Sequence, residues 1–203
     1  MQKIILILVV LLMLFGCTTT RVANSHKHSV ALGAGLNFDL LQPVSYGQSL
    51  SLTQVAEISA EQGQHELVFV LQIQANEMTV IGLLPNGTRV FTIFYDGVQI
   101  KSEGYNELIE KLDPKFLIAD IQISLWPLQT LREQWLSRQP CFQVGNCLIT
   151  EKAHSDTGTK ERVISVAEKM LVNVKSSQSE SNRKVIVFNH LERGYLITLE
   201  STD

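Results

Sequence analysis

The stretch HELVFVLQIQ, residues 65–74, decides the fold, because its apolar side chains recur at every second position. Alternate residues of an extended chain point to the same face, so this period predicts a β-strand. One face of that strand carries the apolar side chains of Leu67, Phe69, Leu71 and Ile73. Val68 and Val70 add apolar surface to the opposite face. One face can therefore pack on helices, while the other needs a second cover or a ligand.

The sequence around this strand predicts an antiparallel meander. Short segments with turn-forming residues occur at 75–77, 85–87 and 96–97, and such segments typically join neighbouring strands. They separate predicted strands at 49–58, 65–74, 78–84, 88–95 and 98–101. Because no βαβ crossover pattern is present, we expect a mostly antiparallel sheet.

A helical insertion interrupts the strands. Residues 105–112 are typical of a helical turn or a short helix. Asp113-Pro114 has the residues of an N-cap and first position for a helix that runs towards Leu125. Apolar residues also alternate over 119–125, so a strand is the alternative for this segment. Residues 127–136 predict a further helix with apolar side chains at helical spacing.

Strands return after Pro140. We predict them at 142–150, 162–175, 184–190 and 195–199, and 162–175 could be a helix instead. Residues 176–182 and 192–194 have the polar and glycine-containing composition of turns.

The N-terminus has the layout of a lipoprotein signal peptide. Lys3 precedes an uncharged apolar run at 4–15, and Gly16-Cys17 follows it. The run is shorter than the about 20 residues of a comfortable membrane span. We therefore predict a signal peptide at 1–16, lipidation of Cys17, a polar tether at 17–30 and one domain at 31–203. An uncleaved N-terminal anchor helix is the alternative, and either reading places the domain outside the cytoplasm.

Composition and motifs argue against several functions. The chain of 203 residues has a formal net charge of −3, whereas nucleic-acid binding needs a basic surface. Neither the nucleophile motif of hydrolases, nor a zinc-protease motif, nor a phosphate loop is present. We predict no enzymatic activity, no catalytic residue, no metal site and no cofactor.

The two remaining cysteines predict a disulfide. Cys141 and Cys147 flank a short segment with a Gly-Asn turn signal. An isolated pair this close is expected to be oxidised outside the cytoplasm. The spacing differs from that of a CxxC redox motif, and further zinc ligands do not cluster nearby.

The order of these parts resembles the LolA/LolB superfamily of outer-membrane lipoprotein carriers. The segment NELIEKL at 106–112, followed by WPLQTLREQWL at 126–136, is similar to the helical insertion of LolB-like receptors. The strand pair at 78–95 with its Pro-x-Gly turn also has a counterpart there. The whole chain resembles most an uncharacterised LolB-like lipoprotein family that is associated with aryl polyene pigment clusters.

The resemblance implies an α+β fold in which helices cover the concave face of an open antiparallel half-barrel. An apolar cavity would hold acyl chains, and burial of each methylene contributes about 0.8 kcal/mol. We expect its wall to include Phe69, Leu71, Val80, Phe91, Ile93, Leu117, Ile121 and Trp126. A closed hydrophobic core would use the same residues.

The same resemblance implies a location and partners. Thr18 after the cysteine favours the outer membrane, with the domain on the periplasmic face. The expected cargo is an acyl chain or a lipidated protein, delivered by a periplasmic carrier protein, in lipid, lipoprotein or polyene-lipid trafficking. The alternative is a structural or partner-binding outer-membrane lipoprotein without lipid cargo.

A membrane-contact loop is implied at the 85–87 turn, with Leu83, Leu84 and Asn86 as its residues. LolB-like receptors expose a hydrophobic residue at the tip of this turn, and here the tip is Asn86. Membrane insertion of cargo by that route would depend on Leu83 or Leu84. The simpler role for these two leucines is to be buried as part of the strand.

Overall fold

A computed structural model of the chain describes residues 28–61, 63–105 and 112–202. The predicted signal peptide, the lipidated Cys17, most of the tether and nearly all of the predicted helix at 105–112 lie outside the described residues. Within them, no helix has the length and apolar character needed to cross a membrane.

The fold is built on one large antiparallel sheet. The strands are β1 Ser29–Gly33, β2 Leu36–Asp39, β3 Leu50–Ala60, β4 Gly63–Ile73, β5 Met78–Leu83, β6 Arg89–Tyr95, β7 Ile100–Gly104, β8 Cys147–His154, β9 Thr159–Val166, β10 Lys169–Gln178, β11 Lys184–His190 and β12 Tyr195–Ser201. Ten of them form the sheet in the order β7-β6-β5-β4-β3-β12-β11-β10-β9-β8, and a separate hairpin pairs β1 with β2. β7 and β8 are the two edges, so the sheet is open. The prediction of an α+β fold on an open antiparallel sheet is confirmed.

The alternation that predicted β4 determines which face of the sheet is covered. Leu67, Phe69, Leu71 and Ile73 are all buried, and they define the inner face of the sheet. Val68 and Val70 on the outer face are half-buried by their cross-strand neighbours.

Helix α1 spans Pro114–Leu125 and lies over the inner face. Asp113 caps it by accepting a hydrogen bond from the Lys115 backbone N–H at 3.2 Å, with Pro114 in the first turn. This start is the one that the sequence predicted, and the strand alternative for this segment is wrong. Helix α2, Leu128–Gln134, follows after Pro127.

The hairpin β1–β2 was not predicted. Its first two residues, Ser29 and Val30, were expected to belong to the tether, but Val30 is buried. The hairpin packs on the end of the helical insertion, where the rings of Phe38 and Trp135 have centroids 4.8 Å apart. The Trp135 indole N–H also donates to the Asn37 carbonyl at 2.9 Å. Residues 29 and 30, inside the predicted tether, therefore belong to the folded structure.

Two predictions for the region after Pro140 are corrected. A short helix α3, Pro140–Gln143, occupies the start of the predicted strand 142–150, and β8 begins only at Cys147. The segment 162–175 is neither one strand nor a helix, because the chain reverses between β9 and β10. Ala167 and Glu168 make this turn with φ of 47° and 68°. That geometry is uncommon for residues other than glycine, asparagine and aspartate, so the composition gave no turn signal.

Candidate functional site

An apolar cavity lies between α1 and the inner face of the sheet, and its volume is about 40 Å³. Helix α1 contributes one wall and strands β3, β4, β5, β11 and β12 contribute the other. The lining residues are Gln54, Phe69, Leu71, Val80, Leu117, Asp120, Ile121, Ser124, Leu125, Ile186, Phe188, Ile197 and Leu199. Only three of them are polar, so the cavity has the chemistry of a site for hydrocarbon.

The expected wall residues divide into two groups. The structure places Phe69, Leu71, Val80, Leu117 and Ile121 on the wall. Phe91, Ile93 and Trp126 do not line this cavity but are completely buried in the core.

Phe91, Ile93 and Trp126 each contact a part of the core outside the cavity wall. Phe91 stands behind the wall, with its ring centroid 6.0 Å from that of Phe69. Ile93 pairs with Val80 across β5 and β6. Trp126 lies beyond the end of α1, where its indole N–H donates to the Ser45 hydroxyl at 2.7 Å. Alternation in the sequence identifies a buried face, but it does not say which part of that face stays unfilled.

The cavity is small compared with a lipid tail. Its 40 Å³ is well below the about 150 Å³ of an engineered apolar cavity that binds a molecule as small as benzene. An acyl chain therefore fits only if α1 separates from the sheet. Several apolar wall residues are only half-buried already: Ile121, Leu125, Ile197 and Leu199. Separation of the helix would extend an apolar surface that already meets solvent.

A carboxyl group is buried at one end of this cavity. The Tyr195 hydroxyl on β12 donates a hydrogen bond to Oδ2 of Asp120 on α1, while Oδ1 has no hydrogen-bond partner among the described residues. Burial raises the pKa of Asp120 to about 7, against the lowering effects of the Tyr195 hydrogen bond and of nearby Arg193. Near neutral pH this carboxyl group therefore exists in both its protonated and its ionised form.

A buried histidine stands beside the same tyrosine. The His190 and Tyr195 ring centroids are 5.4 Å apart, and neither ring nitrogen of His190 has a partner in the described ranges. Burial is the main reason why the pKa of His190 falls to about 4, and Arg193 lowers it further. The Arg193 guanidinium also lies 3.4 Å from the Phe116 ring centroid and so links the β11–β12 turn to α1.

The sequence gave no signal for this cluster. Asp120 and Tyr195 are 75 positions apart, and neither residue belongs to a recognisable motif. Only the packing of α1 across the sheet brings them together.

A second cavity of about 140 Å³ adjoins the first, because Ser124, Leu125 and Ile186 belong to both linings. Its character is polar and basic. The remaining lining residues are Tyr46, Glu151, Lys160, Arg162, Val174, Ser176 and Lys184.

Glu151 is the one acidic side chain of this second lining. Lys160 binds its Oε1 at 2.7 Å and Arg162 binds its Oε2 at 2.6 Å. Burial alone would raise the pKa of Glu151, but the hydrogen bonds from Lys160 and Arg162 outweigh burial and lower it. Glu151 is therefore ionised at neutral pH.

The residues of the expected membrane-contact loop lie in a tight turn after β5. Leu83 is half-buried and ends the strand, whereas Leu84 and Asn86 are exposed. The Asn86 side chain accepts a hydrogen bond from the Thr88 backbone N–H at 3.0 Å, and the Gly87 N–H donates to the Leu84 carbonyl at 2.8 Å. Asn86 therefore stabilises the turn, and Leu84 is the apolar side chain that the turn presents to solvent.

The cysteine pair forms a disulfide, with 5.4 Å between the Cα atoms of Cys141 and Cys147. It joins α3 to the start of β8. Across 28–61, 63–105 and 112–202, no three His, Cys, Asp or Glu side chains are arranged to hold a metal ion.

Residues 51–203 match a family described as "Protein of unknown function (DUF3261)". The match covers well over half of the chain, so the protein belongs to this family. No curated protein matches the sequence.

Proposed function

We propose that this member of the DUF3261 family is a lipid-anchored protein on the periplasmic face of the outer membrane that binds an acyl chain, of a lipid or of a lipoprotein, between α1 and the sheet. The apolar cavity between the helix and five strands carries this proposal. The anchor rests on the sequence pattern at 1–17. A LolA/LolB-like half-barrel is the proposed fold family, supported by the open antiparallel sheet with helices on its inner face.

Binding would begin with a displacement of α1. Among the described residues, two hydrogen bonds tie the helix directly to the sheet, namely Tyr195 to Asp120 and the Arg162 guanidinium to the Ile123 carbonyl. The Gln122 amide also ties the helix to the backbone of Leu41, after β2. Displacement would break the bonds to the sheet and strain those to Leu41, whereas an acyl chain would gain the apolar faces of both helix and sheet. Each buried methylene contributes about 0.8 kcal/mol, so a long chain can offset the loss of these contacts.

The proposal is tested by extracting and identifying lipids that copurify with the full-length chain. Ile121→Trp places a large side chain in the cavity and should reduce the bound lipid several-fold. Thr130→Trp, on helix α2 outside the cavity lining, is the control for added apolar surface. Equal lipid content in both variants and the wild type would contradict binding at this site.

The second candidate function is a structural or partner-binding lipoprotein without cargo. The 40 Å³ volume favours it, because the described conformation has no room for a tail. It predicts no bound lipid and no effect of Ile121→Trp on lipid content. Crosslinking of the full-length chain in its native membrane would then give one reproducible protein adduct.

A further inference from the structure

The inner face of the sheet changes character from one side of the cavities to the other. Cross-strand pairing places Lys160 of β9 next to Ser176 of β10, Ser176 next to Ile186 of β11, and Ile186 next to Leu199 of β12. This single row passes from a cation through a hydroxyl to two apolar side chains. The apolar end belongs to the 40 Å³ cavity and the cationic end to the 140 Å³ cavity.

The second cavity has an excess of positive charge. Lys160, Arg162 and Lys184 line it together with one acid, Glu151. Both carboxylate oxygens of Glu151 are occupied by Lys160 and Arg162, which leaves two cationic charges uncompensated within the lining. Lys184 forms no ion pair with any residue that the structure describes, so its ammonium group is available to a ligand.

We propose that the second cavity binds the anionic head of an amphiphile whose hydrocarbon tail lies in the apolar cavity. The inference rests on the proposed acyl-chain binding and specifies its ligand class: a lipid or lipid-like acid with a phosphate or carboxylate head. Lys184 and the free N–H groups of Lys160 supply charged donors, and the Ser176 and Ser124 hydroxyls supply neutral ones. The shared wall at Leu125 and Ile186 is where head and tail of one molecule meet.

The geometry gives Arg162 a positioning role. Its guanidinium binds Glu151 and also donates to the Ile123 carbonyl of α1. It thereby joins the polar cavity to the helix that covers the apolar one. A head group that competes for the cations around Glu151 would weaken this tie to α1 just where the tail has to enter.

The test uses the full-length chain in nanodiscs of zwitterionic phosphatidylcholine and two photoactivatable probes with the same long tail. One probe is an alkyl phosphate and the other is the corresponding alcohol. Crosslinked peptides are identified and quantified by mass spectrometry. We expect both probes to label peptides of α1 and β11, with the phosphate labelling about three- to tenfold more efficiently, as for one or two partly exposed charge contacts. The preference should decrease as salt is added.

Lys184→Gln should remove most of the preference for the phosphate and leave labelling by the alcohol unchanged. Lys152→Gln is the matched control, because Lys152 is exposed on β8 and lies outside the second lining. Equal labelling by both probes, or equal effects of the two substitutions, would overturn the head-group site while leaving acyl-chain binding intact. If neither probe labels α1 or β11, the proposed function fails and the head-group site fails with it.

Discussion

Tyr195 on the central strand β12 donates its hydroxyl hydrogen to Asp120 on α1, so the helix is tied to the sheet through a carboxyl group that is almost completely buried. The neighbouring His190 is also buried and has no partner for either nitrogen within the described ranges. The two groups have pKa values shifted in opposite directions from their usual ones, to about 7 for Asp120 and about 4 for His190. Their effects on stability should therefore oppose each other between pH 4 and pH 6.5.

In the Asp120→Asn variant, the free energy of unfolding should increase as the pH rises from 4 to 6.5. In this variant His190 is the member of the pair whose pKa remains shifted. The unfolded chain binds a proton on the histidine below its usual pKa of 6.5, whereas the folded chain resists protonation until about pH 4. The free energy of unfolding should therefore increase with pH by up to about 1.4 kcal/mol per unit. Denaturant unfolding at a series of pH values measures this slope.

His190→Phe should give the opposite slope. Asp120 has its ordinary pKa of 3.8 when unfolded and about 7 when folded, so the folded chain binds the extra proton between these values and loses stability as the pH rises. Phenylalanine leaves no buried nitrogen without a partner, so stability at pH 7 should not decrease. The slope of the wild type should lie between those of the two variants from pH 5 to 6.5, above the usual pKa values of the other carboxyl groups. The same slope in both variants would contradict the opposed shifts.

Gly82→Ala should destabilise the core behind the cavity wall. Gly82 pairs with Phe91 across β5 and β6, and a Cβ atom at Gly82 would overlap the Phe91 ring. The ring would have to shift within the packed core, at a cost of about 1–3 kcal/mol. Denaturant unfolding gives the free energy. The double variant Gly82→Ala/Phe91→Leu removes the overlap, so it should be less destabilised than the sum of the single variants, and strict additivity would count against this explanation.

The parts of the fold that the sequence predicted are those with local signals. The alternation in 65–74 was enough for β4, and Asp113-Pro114 was enough for the start of α1. The β9–β10 turn was missed because Ala167 and Glu168 adopt a left-handed conformation without a glycine or asparagine. The hairpin β1–β2 was missed because its polar neighbourhood is typical of a tether, and its burial depends on contacts with residues about a hundred positions away, such as Trp135.

The candidate site was also predictable only in part, because much of it depends on contacts between residues that are distant in the sequence. Five of the expected apolar residues line the cavity, because the apolar face of the strands has to be shielded from water, here by α1. Asp120, Tyr195 and the cations of the second cavity depend on register: Lys160 and Lys184 belong to different strands, and only the pairing of β9, β10 and β11 brings them to one lining. A periodic pattern carries no information about such lateral neighbours.

Loss of the disulfide should cost moderate stability. The bond between Cys141 and Cys147 closes a loop with a sequence separation of 6, and constraint of so short a loop in the unfolded chain contributes about 2 kcal/mol. The variant Cys141→Ala/Cys147→Ala should lose this amount and become insensitive to reductant in denaturant unfolding. Alanine is chosen because Cys147 is completely buried. A wild type that is equally stable with and without reductant would contradict a stabilising bond.

The amide of Gln122 fixes α1 to the segment after β2, and its loss should be costly. This buried side chain donates to the Leu41 carbonyl at 2.7 Å and accepts from the Leu41 N–H at 2.8 Å. Gln122→Leu replaces the amide with an apolar side chain of similar size, and it leaves both backbone groups of Leu41 buried without these partners. We expect the free energy of unfolding to decrease by about 2–4 kcal/mol.

Gln129→Leu is the matched control, since Gln129 is exposed on α2 and its side chain, among the described residues, bonds to Glu133 alone, at 2.8 Å. It should change the free energy of unfolding by less than about 0.5 kcal/mol. Hydrogen exchange then separates a local effect from a general one. Gln122→Leu should increase exchange at Leu41 and along α1 more than in β9 and β10. The reason is that the Gln122 side-chain amide joins Leu41 to α1 and not to β9 or β10. Uniform acceleration across the sheet would show that the substitution weakens the whole core rather than the attachment of the helix.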